Sequence, residues 1–242
     1  MNADLFQSER EPIQVLAGKG EPVSWCTIDH MVVLPLWDDA GRPRSMTDLA
    51  VAAARFSRLA RQQPEKTFDL SPLSQWNGYP ASHLAPLFAA APANCRFLSA
   101  WRAALKPYRD LATYEVRLAL VGQADDDMLI DRCLSWLTQR LDQVRLALLA
   151  PNAGLLADRS RGWAVGHGIA WFGFPAHWRA VQVPHAEVAH GSVGKRYNRR
   201  AGLDRDARLL ANATHVVVFG KSSPALESLI QTLALKHRRV RS

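Results

Sequence analysis

Three cysteines in 242 residues, Cys26, Cys95 and Cys133, lie far apart, and no pair has zinc-ligand or redox spacing. Their odd number excludes a full disulfide framework and suits free thiols in a reducing compartment. No apolar run approaches the about eighteen residues that a membrane helix needs. The opening stretch MNADLFQSEREP is polar and acidic, where a signal peptide would be basic and then apolar. Repeats and low-complexity tracts are also missing. With 48% apolar and 21% charged residues, the composition excludes wholesale disorder. These absences predict a soluble cytoplasmic protein with no membrane segment.

Charge is unevenly spread. The chain has 30 Lys and Arg against 22 Asp and Glu, a formal +8. From His185 to Ser242 there are 11 basic and 4 acidic residues, so this stretch carries +7 and everything before it only +1. A basic end of this kind suits an anionic ligand or partner.

The apolar pattern divides the chain near residue 111. Residues 1–110 read as a smaller α+β region. Within it, β-branched runs between Ile13 and Leu36 are split by Gly18-Lys19-Gly20-Glu21-Pro22, as in a hairpin or strand pair. A helix is predicted over Thr47–Arg61, with Ser45 or Thr47 as cap, and a second over Ala93–Leu105. Ten aromatics precede residue 105, Trp25, Trp37, Trp76 and Trp101 among them. They suit a core packed against the sheet, or a surface for a partner protein or a second copy of the chain.

Residues 111–242 alternate short apolar strands with amphipathic helices. Strands are expected at Val116–Val121, Val144–Leu149, Ile169–Phe174, His215–Phe219 and Arg239–Arg241. Helices are expected at Met128–Leu141, Leu155–Val165, Arg205–Ala213 and Ala225–Lys236. This order indicates an α/β class with a Rossmann-like parallel sheet and helices on both faces.

Ligands of such sheets bind at the carboxyl ends of strands, where the strand order reverses. That rule selects the loops Gly122-Gln123-Ala124-Asp125, Pro151-Asn152-Ala153-Gly154 and Gly220-Lys221-Ser222-Ser223. The last offers backbone N–H groups, two hydroxyls and an ammonium ahead of a helix, the parts of an anion site. It is not a Walker A loop, because His215 stands where that motif has its first glycine. Ser223 with Pro224 also forms an ordinary helix start.

Residues 116–242 resemble the SLOG superfamily, which joins the DNA-processing protein DprA to the LOG phosphoribohydrolases. They are closest to its YspA-like branch of bacteria and mobile elements. Val121-Gly122 resembles that branch's first strand and V-x-G-S-R loop. Leu156-Ala157-Asp158 is similar to the end of G-G-A-x-G-A-D. Trp163-Ala164, Gly168-Ile169 and Phe174-Pro175-Ala176-His177-Trp178 resemble its W-A, G-I and F-P-A-D-W. Ala201-Gly202 with Arg205, Asp206 and Leu209 resembles A-G-P-x-R-N-x-x-M, and Ala213–Gly220 its A-D-x-V-I-A-F-x-G strand. The chain departs at Gln123-Ala124, where the family has Ser/Thr-Arg, and at Asn152-Ala153, where two glycines are gone.

The resemblance implies a pocket for a nucleotide or nucleotide-derived phosphate, bound or sensed by Gly122, Gln123, Asn152, Gly154, Asp158, Arg205, Gly220, Lys221, Ser222 and Ser223. If turnover survives, it implies N-glycosidic cleavage with Arg205 on the phosphate and Glu227 on the ribose or water. A third expectation is DprA-like binding of single-stranded nucleic acid. Lys195, Arg196, Tyr197, Arg199 and Arg200 form one basic cluster, and Arg238 and Arg239 belong to a second. His185, Glu187 and His190 lack a further spaced ligand, so no metal site is assigned. No motif calls for a cofactor.

Overall fold

The computed structural model describes residues 11–20, 27–28, 31–124, 126–139, 145–192 and 194–240. The polar start of the chain, Trp25 and Cys26 lie outside these residues.

The N-terminal half contains β1 (Ile13–Gly18), β2 (Thr27–Ile28), β3 (Met31–Pro35), α1 (Met46–Gln62) and β4 (Phe68–Asp69). The short α2 (Ala81–Leu84), β5 (Cys95–Arg96) and α3 (Ser99–Leu105) follow. Its sheet has the order β2-β3-β1-β4-β5. β3, β1, β4 and β5 all run parallel, and β2 alone is antiparallel to its neighbour β3. The runs in Ile13–Leu36 are therefore a strand pair, β1 against β3, without being a hairpin to each other. The expected α+β region is more regular than that term implies, with mostly parallel strands covered by α1. Ser45 caps α1 by accepting from the Asp48 N–H, and Leu49, Ala53, Phe56 and Ala60 bury one stripe of the helix. The helix expected over Ala93–Leu105 is shorter. Cys95 and Arg96 pair instead with Phe68 and Asp69, so helix begins only at Ser99.

The C-terminal half contains β6 (Val116–Gly122), α4 (Asp127–Thr138), β7 (Leu146–Pro151), α5 (Leu155–Gly166) and β8 (Ala170–Phe174). A hairpin of β9 (Val188–His190) and β10 (Arg196–Asn198) precedes α6 (Ala201–Ala211), β11 (His215–Phe219), α7 (Pro224–Thr232) and β12 (Lys236–Val240). The last helix ends four residues before its expected limit at Lys236, because Ala234 turns the chain at φ 52° and Lys236 enters β12 beside His215.

All five main strands are parallel in the order β12-β11-β6-β7-β8. This is the Rossmann-like arrangement, with its reversal between β6 and β11. The protein is of the α/β class, with two parallel sheets and helices packed against them.

Alternation along the strands sorts side chains into two cores. Leu118, Leu120, Leu148, Val217 and Phe219 face α4 and α5 in one core, which also holds Ile130, Leu134 and Trp163. Ala119, Val121, Leu149, Phe174, Val216 and Val218 face α6 and α7. That second core runs on without a break into Phe56, Phe68, Phe88 and Trp101 of the N-terminal half. Of the early tryptophans, Trp76 and Trp101 are buried there and Trp37 packs at its margin. Among the described residues no helix is long and apolar enough to cross a membrane.

Candidate functional site

The loops after β6 and β11 meet at the reversal of strand order. Gly122 lies opposite Phe219 in the register, and the Gln123 N–H donates to the Phe219 carbonyl at 3.0 Å. A Cβ on Gly122 would stand 2.3 Å from the Phe219 carbonyl oxygen, and one on Gly220 would stand 2.4 Å from that of Gln123. Neither loop could carry a side chain there without moving the other. Gly122, Gln123 and Gly220 are thus brought together, with the exposed Lys221 beside them.

Ser222 and Glu227 do not stand free. The Ser222 hydroxyl donates to Glu227 Oε1, and the Arg239 guanidinium from β12 pairs with the same oxygen and donates to Ser222 Oγ at 3.0 Å. Ser223 caps α7, accepting from the Leu226 N–H at 3.2 Å, with Pro224 following. This is the ordinary helix start that the Ser-Pro pair allows.

The loop after β7 lies one strand further on. Its Asn152 N–H donates to the Phe174 carbonyl at 3.1 Å. Gly154 starts α5 at φ 95° and ψ 174°, a conformation essentially confined to glycine. A Cβ there would meet nothing within 4 Å, so backbone shape and not crowding requires this glycine. α5 has no side-chain cap, whereas Asp126 caps α4 and Ser223 caps α7. The first N–H groups of α5 therefore remain available to an anion. Asp158 is exposed one turn further in, and Asp127 of α4 pairs with Arg159 of α5.

Arg205 lies apart from these loops' polar network. Its Nε and Nη2 hold Asp206 Oδ1 at 2.9 and 2.8 Å. Burial pushes the Asp206 carboxyl up, and the Arg205 charge opposes that shift. Among the described residues no hydrogen bond or ion pair joins Arg205 to Glu227. Leu203 of α6 and Ser228 and Leu229 of α7 line a shared cavity, and neither Arg205 nor Glu227 lines it.

The basic cluster falls on the β9–β10 hairpin and the residues after it. Lys195, Arg196 and Arg199 are exposed, Tyr197 is half-buried, and Trp178, whose carbonyl accepts from the Asn198 N–H, is 48% exposed nearby. Arg200 departs from the group. It precedes α6 and lies 3.6 Å from Glu187. Arg239 is held by Glu227 as above, and Arg238 contributes backbone to β12. His185 Nε2 is 2.7 Å from the Pro43 carbonyl, which ties this long loop to the N-terminal half. Among the described residues no group of three His, Cys, Asp or Glu side chains could hold a metal ion.

Two polar clusters join residues whose pairing no sequence motif announces. Asn212, Arg117 and Thr214 are linked at the amino-terminal ends of β6 and β11. His83 and His177 stack 4.1 Å apart, close to the buried Arg208. Arg117 stands 95 and 97 positions from Asn212 and Thr214, and His83 about as far from His177, so no local pattern links them.

No family model matches the chain, and neither a curated protein nor a solved structure matches it.

Proposed function

We propose that the chain binds or senses a nucleotide, or a nucleotide-derived phosphate, at the carboxyl edge of its C-terminal sheet, as a SLOG-like module. The observation that carries the reading is the convergence of Gly122, Gln123, Gly220 and Lys221 over the reversal between β6 and β11. The uncapped start of α5 at Gly154 adds N–H donors on the neighbouring strand. The motif matches between Val121 and Gly220 support the same ligand class. Binding without turnover is favoured, because Arg205 and Glu227 are each committed to a different partner.

The test is a thermal-shift and calorimetric series of nucleoside mono- and diphosphates on the full chain and on Lys221→Ala. A ligand present at a hundred times its dissociation constant should stabilise the fold by about 2.7 kcal/mol. Losing the ammonium contact should weaken binding about tenfold, a difference of about 1.4 kcal/mol. Absence of any shift across the series would remove the proposal. Release of free base in the same samples, lost in Glu227→Ala, would replace it by N-glycosidic cleavage.

One observation favours a second reading, contact with single-stranded nucleic acid. The exposed Lys195, Arg196 and Arg199 have no carboxylate partner among the described residues, and the exposed Trp178 adds a stacking face. Affinity for an oligonucleotide should then fall steeply with salt, and Arg196→Ala should flatten that slope. No binding at low salt ends this reading.

A further inference from the structure

A cavity of about 220 Å³ lies where α1, α6 and α7 meet. Three distant stretches of the chain build it. Asp48 and Val51 come from α1, Arg200 and Leu203 from the start of α6, and Ser228 and Leu229 from α7. Its wall therefore carries one cation, one anion, the hydroxyls of Thr47, Ser228 and Thr232, and an apolar surface.

The two charges do not neutralise each other. Among the described residues Asp48 has no cationic partner, and its Oδ2 accepts only the Ser45 hydroxyl, at 2.7 Å. Arg200 reaches Glu187 at 3.6 Å through Nη1 and its charge also acts on the buried Asp204 carboxyl, while its Nε is buried with no hydrogen-bond partner. A buried guanidinium N–H left unpaired is costly, and an oxyanion is its strongest partner. A carboxylate lacking a cation on the same wall is matched by an ammonium. The volume is below the roughly 300 to 1,000 Å³ of drug-sized sites, which limits the occupant to a small metabolite.

We propose that this cavity binds a small zwitterion, an α-amino acid with a short apolar side chain. Its carboxylate pairs with Arg200 and its ammonium with Asp48. Val51, Leu203 and Leu229 cover its side chain, and the Ser228 hydroxyl provides a further polar contact. Such a ligand touches both halves of the molecule and ties α1 to α6 and α7. The proposal is independent of the nucleotide site.

Calorimetry on the full chain with L-alanine, L-valine and L-leucine tests it, with isovalerate and isobutylamine as single-charge probes. At least one amino acid should bind and raise the melting temperature, and each single-charge probe should bind about tenfold more weakly or worse. Arg200→Gln and Asp48→Asn should each lower the amino-acid affinity by about the same factor. Ser228→Phe, which fills the cavity without changing charge, should abolish binding while the variant still unfolds cooperatively. The proposal is overturned if no amino acid binds, if isovalerate or isobutylamine binds as tightly, or if Ser228→Phe leaves binding intact.

Discussion

Replacing Asn212 with Leu is expected to lower the unfolding free energy by about 3 kcal/mol, measured as a drop in the urea midpoint at unchanged slope. Asn212 ends α6 and is only 2% exposed. Its Oδ1 accepts from the Ala90 N–H at 2.7 Å, and its Nδ2 donates to the carbonyls of Pro86 and Arg208 at 2.8 and 2.7 Å. One side chain thus satisfies backbone groups of the N-terminal half from the end of a C-terminal helix. Leucine has a similar volume, so the loss is polar and not a cavity. It strands the Ala90 N–H in a region that water does not reach, at about 1–3 kcal/mol, and takes one of two donors from the Pro86 carbonyl, which keeps the Ala89 N–H at 3.4 Å, at about 1 kcal/mol more. The Arg117 Nε, 2.7 Å from the Asn212 carbonyl, is retained in the variant because that bond is to backbone. A midpoint change worth less than about 1 kcal/mol would mean that the two halves do not depend on this junction.

Because one apolar core spans both halves, the same melt should remain a single transition. That continuity explains which parts of the molecule were legible in the sequence. Buried parallel strands are apolar on both faces, so Val116–Val121 and His215–Phe219 announce themselves without partners. α1 announces itself through its period and the Ser45 cap. The two-residue strands β4 and β5 carry no such signal, since only their pairing makes them strands. The β9–β10 hairpin was hidden for a related reason. Its residues are polar and basic, and its place is fixed by bonds from Asn198 to the Trp178 carbonyl and from Glu187 and Arg200 N–H groups to the Asn198 side chain.

The candidate site divides in the same way. The alternation of strand and helix alone points to the loops at Gly122, Asn152 and Gly220 as the ligand edge. Side-chain partners do not follow from it. Glu227 meets Arg239 only because β12 lies beside β11 in a particular register, and Arg205 turns to its own neighbour Asp206. The cavity of Asp48 and Arg200 joins positions about 150 residues apart, beyond the reach of any local motif.

Acid should destabilise the protein between pH 6.5 and about 4 through the stacked histidines, and His83→Gln should remove about 1.4 kcal/mol per pH unit from that dependence. Burial, then the neighbouring His177 and Arg208 charges, depresses the His83 imidazole to about 3. Burial, then Arg208, depresses His177 to about 4, with the Ser82 backbone opposing. Both rings stay neutral in the folded chain while the unfolded chain takes up protons below about pH 6.5. Their contribution is therefore complete above pH 6.5 and is lost as the pH falls toward the folded values. His177 is less enclosed than His83, so solvent reduces its share, and the pair together should cost about 3 kcal/mol at pH 5. Asp204 and Asp206 on α6 act in the opposite sense. Burial raises both carboxyls, so protonation relieves them as the pH drops. Their effect is common to wild type and variant and cancels in the comparison, which leaves the imidazole contribution. Glutamine keeps a polar side chain at position 83 without a group that titrates in this range. Urea midpoints at pH 7, 6 and 5 should therefore fall more steeply for the wild type than for His83→Gln, and parallel curves would show that the buried pair does not set the acid limit of the fold.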